Sequence, residues 1–297
     1  MENRTSRPLN AVAHAAEHCT LDAGSIELLG GAVGEQLLVH RSPRRRALYT
    51  IVQDIPAQAP EVQVGRAGAT RLQARDPRLD VLLETSFVAP DGDTSATRLT
   101  EHVLGDAGAT GIAILAPHGG DIEVGTADQA HMVYEILARA GARPRAWSAR
   151  GYDPAGAYGC WHITSSEICE RSFPKLGSLF LGDTGRGPFA HAIAFHGHGG
   201  DAIVIGGGLP KDPGHLARKR RMQSSIRRAL ELVTDDVPAI EVKLDGPLSG
   251  RDARNIVNRV TVAGNGVQLE QPLAVRQDRL LQTAIAHAVG SFYAELL

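Results

Sequence analysis

The sequence predicts an α/β protein with a mixed, largely parallel sheet flanked by helices, preceded by a small β-rich domain. Three observations predict it. Between about residues 24 and 89, short β-rich stretches follow one another with glycine, proline and serine breaks between them. Beyond residue 93, apolar runs of strand length alternate with stretches of helical pattern. The 297 residues are 43% hydrophobic and 22% charged, enough to bury one large core or a medium core with a small partner.

Residues 1 to about 23 are polar and weakly patterned, and His14, His18 and Cys19 among them match no zinc-ligand spacing. The accessory domain reads as strands at Ile26–Leu29, Gln36–His40, Ala47–Val52, Glu61–Val64 and Asp80–Glu84, in a barrel or sandwich. Its Arg44-Arg45-Arg46 run reads as a solvated turn, with contact to a polyanion as the sharper alternative. Pro90-Asp91-Gly92-Asp93 is a turn-forming link, so the boundary is placed between residues 1–92 and residues 93–297. In the second domain, strands are predicted at Ile112–Ala116, Arg145–Ala149, Ala190–Phe195, Ala202–Ile205, Ala239–Val242 and Gly266–Glu270. Helices are predicted over about 127–141, 212–233 and 277–294. Thr126 is placed as the cap of the first, with Gln129 completing a capping box and Gly141 as its stop.

Bulk properties exclude several classes. No apolar run reaches the roughly 18 residues of a membrane span, and the N-terminus has no apolar signal core, so a cytoplasmic protein is expected. Three cysteines cannot form a disulfide framework. The net charge of −2 argues for no polyanionic partner by itself. The basic helix at 212–233 carries Arg218-Lys219-Arg220-Arg221, with Leu216, Met222, Ile226, Ala229 and Val233 at helical spacing. It reads as an amphipathic helix with a solvated basic face, or else as a guide for an anionic polymer. No stacking aromatics accompany these charges, so no specific nucleic-acid partner is expected.

The residues with chemistry cluster at predicted strand ends. His118 and Glu123 lie between the end of one strand and the start of a helix, on Gly119 and Gly120. Ligands bind at the carboxyl ends of strands in such sheets, and imidazole with carboxylate is a zinc donor pair. A second strand ends in Phe195-His196-Gly197-His198. His196 is the favoured third ligand and His198 its rival, while His191 reads as a surface or core-edge residue. Three protein ligands leave one position open, the catalytic pattern. In Asn265-Gly266-Val267-Gln268-Leu269-Glu270, Gln268 and Glu270 share a face. Glu270 reads as a general base, or as a rim carboxylate paired with a local arginine. Asn255, Arg259 and Arg276 are the candidate donors to a substrate.

Five motifs occur in one order: His118-Gly-Gly-Asp-Ile-Glu123 before Val-Gly-Thr, Trp161-His162-Ile163-Thr164-Ser165-Ser166, Phe195-His196-Gly197, Asn255-Ile256-Val257-Asn258-Arg259 and Gly266-Val267-Gln268-Leu269-Glu270. Together, over about residues 105–295, they resemble the phage-type poly-γ-glutamate hydrolase family. The resemblance implies a zinc-carboxypeptidase-like α/β fold, one Zn2+ ion, and hydrolysis of γ-linked glutamyl amide bonds in an anionic peptide substrate. It implies His118, Glu123 and His196 as zinc ligands, Glu270 as catalytic base, and His162 near the cleft. The alternatives are a carboxypeptidase- or deacylase-like amidohydrolase on a small N-acyl amino acid, or a polyanion-binding protein without turnover.

Overall fold

The computed structural model describes residues 2–3, 15–55, 60–74, 79–181, 185–208, 213–233 and 240–297. His14 therefore lies outside the described residues. The chain divides into two units, residues 1–99 with 152–173, and residues 100–151 with 174–297. The boundary expected after residue 92 falls after Leu99 instead, and the first unit also takes Tyr152–Phe173.

The chain begins with β1 (Glu2–Asn3), β2 (His18–Asp22), α1 (Ala23–Leu29), β3 (Gln36–Ser42), β4 (Arg45–Ile55), β5 (Val62–Val64), α2 (Arg66–Arg71), β6 (Leu79–Asp80) and β7 (Leu82–Glu84). It continues through β8 (Arg98–Leu104), β9 (Ile112–Gly120), α3 (Thr126–Arg139), β10 (Pro144–Tyr152), α4 (Ala157–Trp161), α5 (Pro174–Gly177), β11 (His191–His198) and β12 (Ile203–Gly206). The last elements are α6 (Pro213–Glu231), β13 (Val242–Leu244), α7 (Ile256–Arg259), β14 (Val267–Pro272), α8 (Leu273–Gln277) and α9 (Arg279–Ala294). No helix among the described residues is long and apolar enough to cross a membrane.

The first unit is β-rich, as expected, and is built on one five-stranded sheet in the order β5-β2-β4-β3-β7. Its core includes Cys19, Leu21, Leu37, Val39, Tyr49, Ile51, Val62 and Leu72. The strand expected at Ile26–Leu29 is a helix. Asp22 accepts the Ser25 N–H at its start, and Gly30, at φ 63°, closes it with an N–H to Glu27. Caps at both ends, with the helix-forming Leu28 and Leu29 between them, outweigh the β-branched Ile26.

Segment 152–173 is fastened within this unit by side chains. Glu17 accepts from the Nδ1 of His162 and from the N–H and hydroxyl of Thr164. Burial raises the Glu17 carboxyl, but the His162 bond and charge, the Thr164 N–H and the Arg71 charge outweigh it, holding the pKa at about 2. His18 meets Glu167, and the Gln36 side chain bonds the Glu167 carbonyl and the Cys169 N–H. His18 and Cys19 are thus a fastening and a core residue rather than metal ligands.

The second unit is organised on a seven-stranded mixed sheet, order β13-β12-β14-β11-β9-β10-β8. β10 and β11 run parallel to β9, β14 runs parallel to β11, and β12 is antiparallel to β14. Ile112, Ile114 and Ala116 of β9, Ile193 and Phe195 of β11, and Val267 and Leu269 of β14 pack into one cluster with α3, α6 and α9. Alternate residues of these strands therefore face the helices, which leaves the intervening positions on the opposite face. The edge strand β8 was not among those expected from sequence.

Two local expectations change. Gly125, at φ 88°, is the N-cap of α3, and Thr126 is its first residue, donating its hydroxyl back to the Glu123 carbonyl at 2.8 Å. Gln129 does not close a capping box. It exchanges two amide hydrogen bonds with Gln271, tying α3 to the end of β14. In α6, Met222, Ile226 and Leu230 are buried, whereas Leu216 is exposed.

The Glu17 fastening gives a pH prediction. A carboxylate depressed from 4.5 to about 2 contributes stability that is complete above pH 4.5 and is lost as pH falls toward 2. The difference corresponds to roughly 3 kcal/mol. Glu17→Gln should therefore melt below the wild type at pH 7, and the gap should shrink as pH falls from 4.5. A gap independent of pH in thermal melts would remove Glu17 from this role.

Candidate metal centre

One irregularity in the sheet sets the site. β10 pairs with β9 in register up to Ser148 with Ala116, and next at Arg150 with Gly119, so β9 carries one extra residue there. Such a bulge reverses which way the following side chains point. The reversal is visible at Gly119: a Cβ there would meet the Ala127 Cβ of α3 at 2.7 Å. Gly119 thus faces α3, and His118 turns to the other face. Gly120, at φ 67°, then starts the loop that brings Glu123 back, with the Glu123 N–H bonded to the His118 carbonyl at 2.9 Å.

His196 reaches the same face by ordinary alternation, since its neighbour Phe195 lies in the helix-side core. The ligand atoms of His118, Glu123 and His196 all lie within 4.8 Å of one another. The Nδ1 atoms of the two histidines stand 3.3 Å apart, and Glu123 lies 3.1 Å from the His118 Nδ1 and 3.6 Å from the His196 Nδ1. All three residues are buried, with exposures of 3, 5 and 3%. Burial raises the Glu123 carboxyl, but the charges and hydrogen bonds of His118 and His196 outweigh it and pull the pKa far below the carboxylate range. Two imidazole nitrogens and a carboxylate turned toward one point form a donor set that fits a zinc-type cation. Among the described residues this is the one group with metal-binding geometry. His198 does not join this group. Its Nε2 meets the Ala202 carbonyl at 2.8 Å and its Nδ1 accepts the Gly200 N–H at 3.0 Å.

Glu270 stands beside His196, its register partner across the parallel pair of β11 and β14. It is 8% exposed, and burial raises its pKa first of all. The alternative reading, pairing with an arginine, is not what the side chain does: its Oε1 accepts the Gln268 Nε2 at 3.0 Å. Gln268 also donates to the Leu248 carbonyl at 2.9 Å and accepts the Asn255 Nδ2 at 3.0 Å. Asn255 in turn accepts the Val257 N–H at the start of α7. A backbone carbonyl at Leu248 and a backbone N–H at Val257 fix both amide orientations, so an N–H must point at Glu270. Sequence reasoning missed Gln268 as a site residue. The available signal was a buried polar pair two positions apart on a strand whose other face is apolar.

The remaining predicted donors are distributed differently. Arg276 lies within the site's supporting layer. Its Nε and Nη1 donate to the carbonyls of Gln271 and Val124, and its guanidinium backs against Gly197. Burial lowers its pKa, and the charges of Glu123 and Glu270 oppose that. Asn255 is spent on Gln268 and the α7 cap. Arg259 stacks over the Phe180 ring at 5.0 Å and reaches the Gly185 carbonyl at 3.4 Å. His162 belongs to the other unit, against Glu17.

The profile of the poly-gamma-glutamate hydrolase family matches residues 101–288. A solved bacteriophage poly-gamma-glutamate hydrolase superposes with a TM-score of 0.51 at 22% identity, covering 69% of this chain and 93% of that one. A solved YNDL structure in a zinc-free form gives a TM-score of 0.46 at 20% identity, covering 68% and 91%. No curated protein matches the chain. The match spans more than half of the chain and most of the second unit, and the chain belongs to the poly-γ-glutamate hydrolase family.

Proposed function

We propose that the chain hydrolyses γ-glutamyl amide bonds, with poly-γ-glutamate as substrate, using one zinc ion. The observation that carries this reading is the buried convergence of His118, Glu123 and His196 with Glu270 beside His196 in register. The three side chains would hold the metal through the two Nδ1 atoms and the Glu123 carboxylate. When bound, the ion supplies a Lewis acid that polarises the scissile carbonyl and acidifies water.

The chain's own residues do the rest. Glu270 takes the proton of the attacking water and delivers it to the leaving amine. Gln268 positions it: the N–H on Oε1 orients the carboxylate and leaves the second oxygen for the proton. Arg276 holds the Glu123 loop and the end of β14 through backbone carbonyls, and its charge balances the two carboxylates. The Gly197 N–H, bonded to the Glu123 Oε2 at 2.9 Å, fixes the rotation of that ligand. The deacylase alternative gains no specific observation.

High-molecular-weight poly-γ-glutamate incubated with the protein should shorten on a gel, and a chelator should stop it. Persistent full-length polymer in the presence of zinc would sink the reading. Glu270→Gln should keep stoichiometric zinc and lose at least about 10²-fold in kcat; an unchanged kcat removes Glu270 from its role. His118→Ala should instead lose zinc occupancy, measured by elemental analysis, and full occupancy would show the ligand to be misassigned. Gln268→Leu should lower kcat about 10-fold or more, with KM and zinc content kept. A fall in zinc content with kcat per zinc preserved would make Gln268 a purely structural residue.

A further inference from the structure

The first unit contains a cleft of about 320 Å³ lined by Arg44, Arg45, Arg46 and Arg71, with Asp153 and Cys160 opposite. Arg44 lies in the turn between β3 and β4, and Arg45 and Arg46 open β4. Arg44 and Arg45 are exposed, as the expected solvated turn requires, and Arg46 is half-buried, yet all three line one cleft although consecutive strand positions normally point to opposite faces. Arg71 is immobilised: its guanidinium donates to the carbonyls of Gly159, Leu48 and His162. The hairpin arginines are not consumed in this way. Arg46 gives one N–H to the Pro43 carbonyl, and its Nε is buried without a partner. None of Arg44, Arg45 and Arg46 forms an ion pair among the described residues. The one carboxylate in the cleft, Asp153, accepts the Ala155 N–H at 2.8 Å and bonds the Cys160 thiol.

The other basic run of the chain is different. On α6, Lys219 is buried against Asp245 at 2.6 Å, Arg221 pairs with Glu295 at 3.3 Å, and Arg227 donates to the Val242 carbonyl. Much of that charge is satisfied internally. The hairpin cleft therefore gathers four arginines against the single carboxylate of Asp153, in a chain whose net charge is −2. Guanidinium forks suit carboxylates that can be gripped two oxygens at a time.

We propose that this cleft is a carboxylate-binding subsite of the first unit that grips the free α-carboxylates of a γ-glutamyl polymer. The proposal rests on the γ-glutamyl reading of the substrate. It gives the first unit a task, retention of an anionic chain, that is separate from bond cleavage.

The test is direct binding to the full chain carrying Glu270→Gln, so that the polymer stays intact. Fluorescein-labelled poly-γ-glutamate is titrated by anisotropy at several NaCl concentrations. Adding R44S, R45S and R46S together should weaken binding at least about tenfold and flatten the salt dependence. The same triple change to lysine should keep most of the affinity. In the active chain, the serine variant should cleave a short γ-glutamyl peptide at the unsubstituted rate. Thermal melts control for folding, and if the triple serine variant does not fold, Arg44→Ser at the exposed turn takes its place, with a loss of about threefold expected. Unchanged binding in the serine variant overturns the proposal, as does tighter binding of a 20-base-pair DNA duplex than of the polymer. A chain that binds the polymer through these arginines yet never shortens it would keep the subsite and overturn the hydrolase reading alone.

Discussion

A carboxylate buried between two imidazoles is expensive unless positive charge compensates it. That constraint sits at Glu123, whose oxygens face the Nδ1 atoms of His118 and His196 with little water around them. Burial alone would raise the Glu123 carboxyl, and the charges and hydrogen bonds of His118 and His196 outweigh it. The surrounding structure is arranged to keep the three side chains together at that cost. The Gly197 N–H takes one Glu123 oxygen, and Arg276 holds the Glu123 loop through the Val124 carbonyl.

The same constraint explains the irregular strand. In a regular β9, His118 would follow Ile114 and Ala116 into the apolar layer under α3, where an imidazole has nothing to bond. The extra residue moves it to the face of His196. The glycine that follows is needed because the reversed alternation drives its Cβ position into Ala127. Bulge, glycine and histidine are one device. Glu270 needs no such device, because the parallel register of β11 and β14 already places it beside His196. Its own requirement is orientation, and a chain of two amides anchored on backbone groups provides it.

Much of this was legible in the sequence because strand ends have a local signature. An apolar run closing on His-Gly marks both β9 and β11, and alternation in Val267–Glu270 gives the facing of Glu270 without any structure. Zinc-type ligand chemistry could be read from residue types alone. What resisted reading depends on partners distant in the chain. Gln129 looks like half of a capping box, but its partner is Gln271, 142 residues away. Asn255 and Arg276 look like substrate donors, yet their hydrogen bonds go to Gln268 and to backbone carbonyls. The helix at Ala23–Leu29 hid behind branched and apolar residues because its two caps outweigh propensity.

Segment 152–173 carries this argument furthest. Its Trp-His-Ile-Thr-Ser motif begins at the end of α4, the helix after β10 of the seven-stranded sheet, and the resemblance implied a place near the cleft. Its side chains are nevertheless committed within the first unit: His162 and Thr164 to Glu17, Glu167 to His18, and the Cys169 N–H to Gln36. A buried carboxylate depressed to about 2 releases such partners only at a large cost. The accessory unit therefore does not merely precede the hydrolase region in the chain; it completes its own fold with a segment taken from within the family-matched residues. Loss of residues 1–99 would strand the partners of Glu17, so residues 152–173 have to be treated as folding with them, although His118, Glu123 and His196 all lie in the other unit.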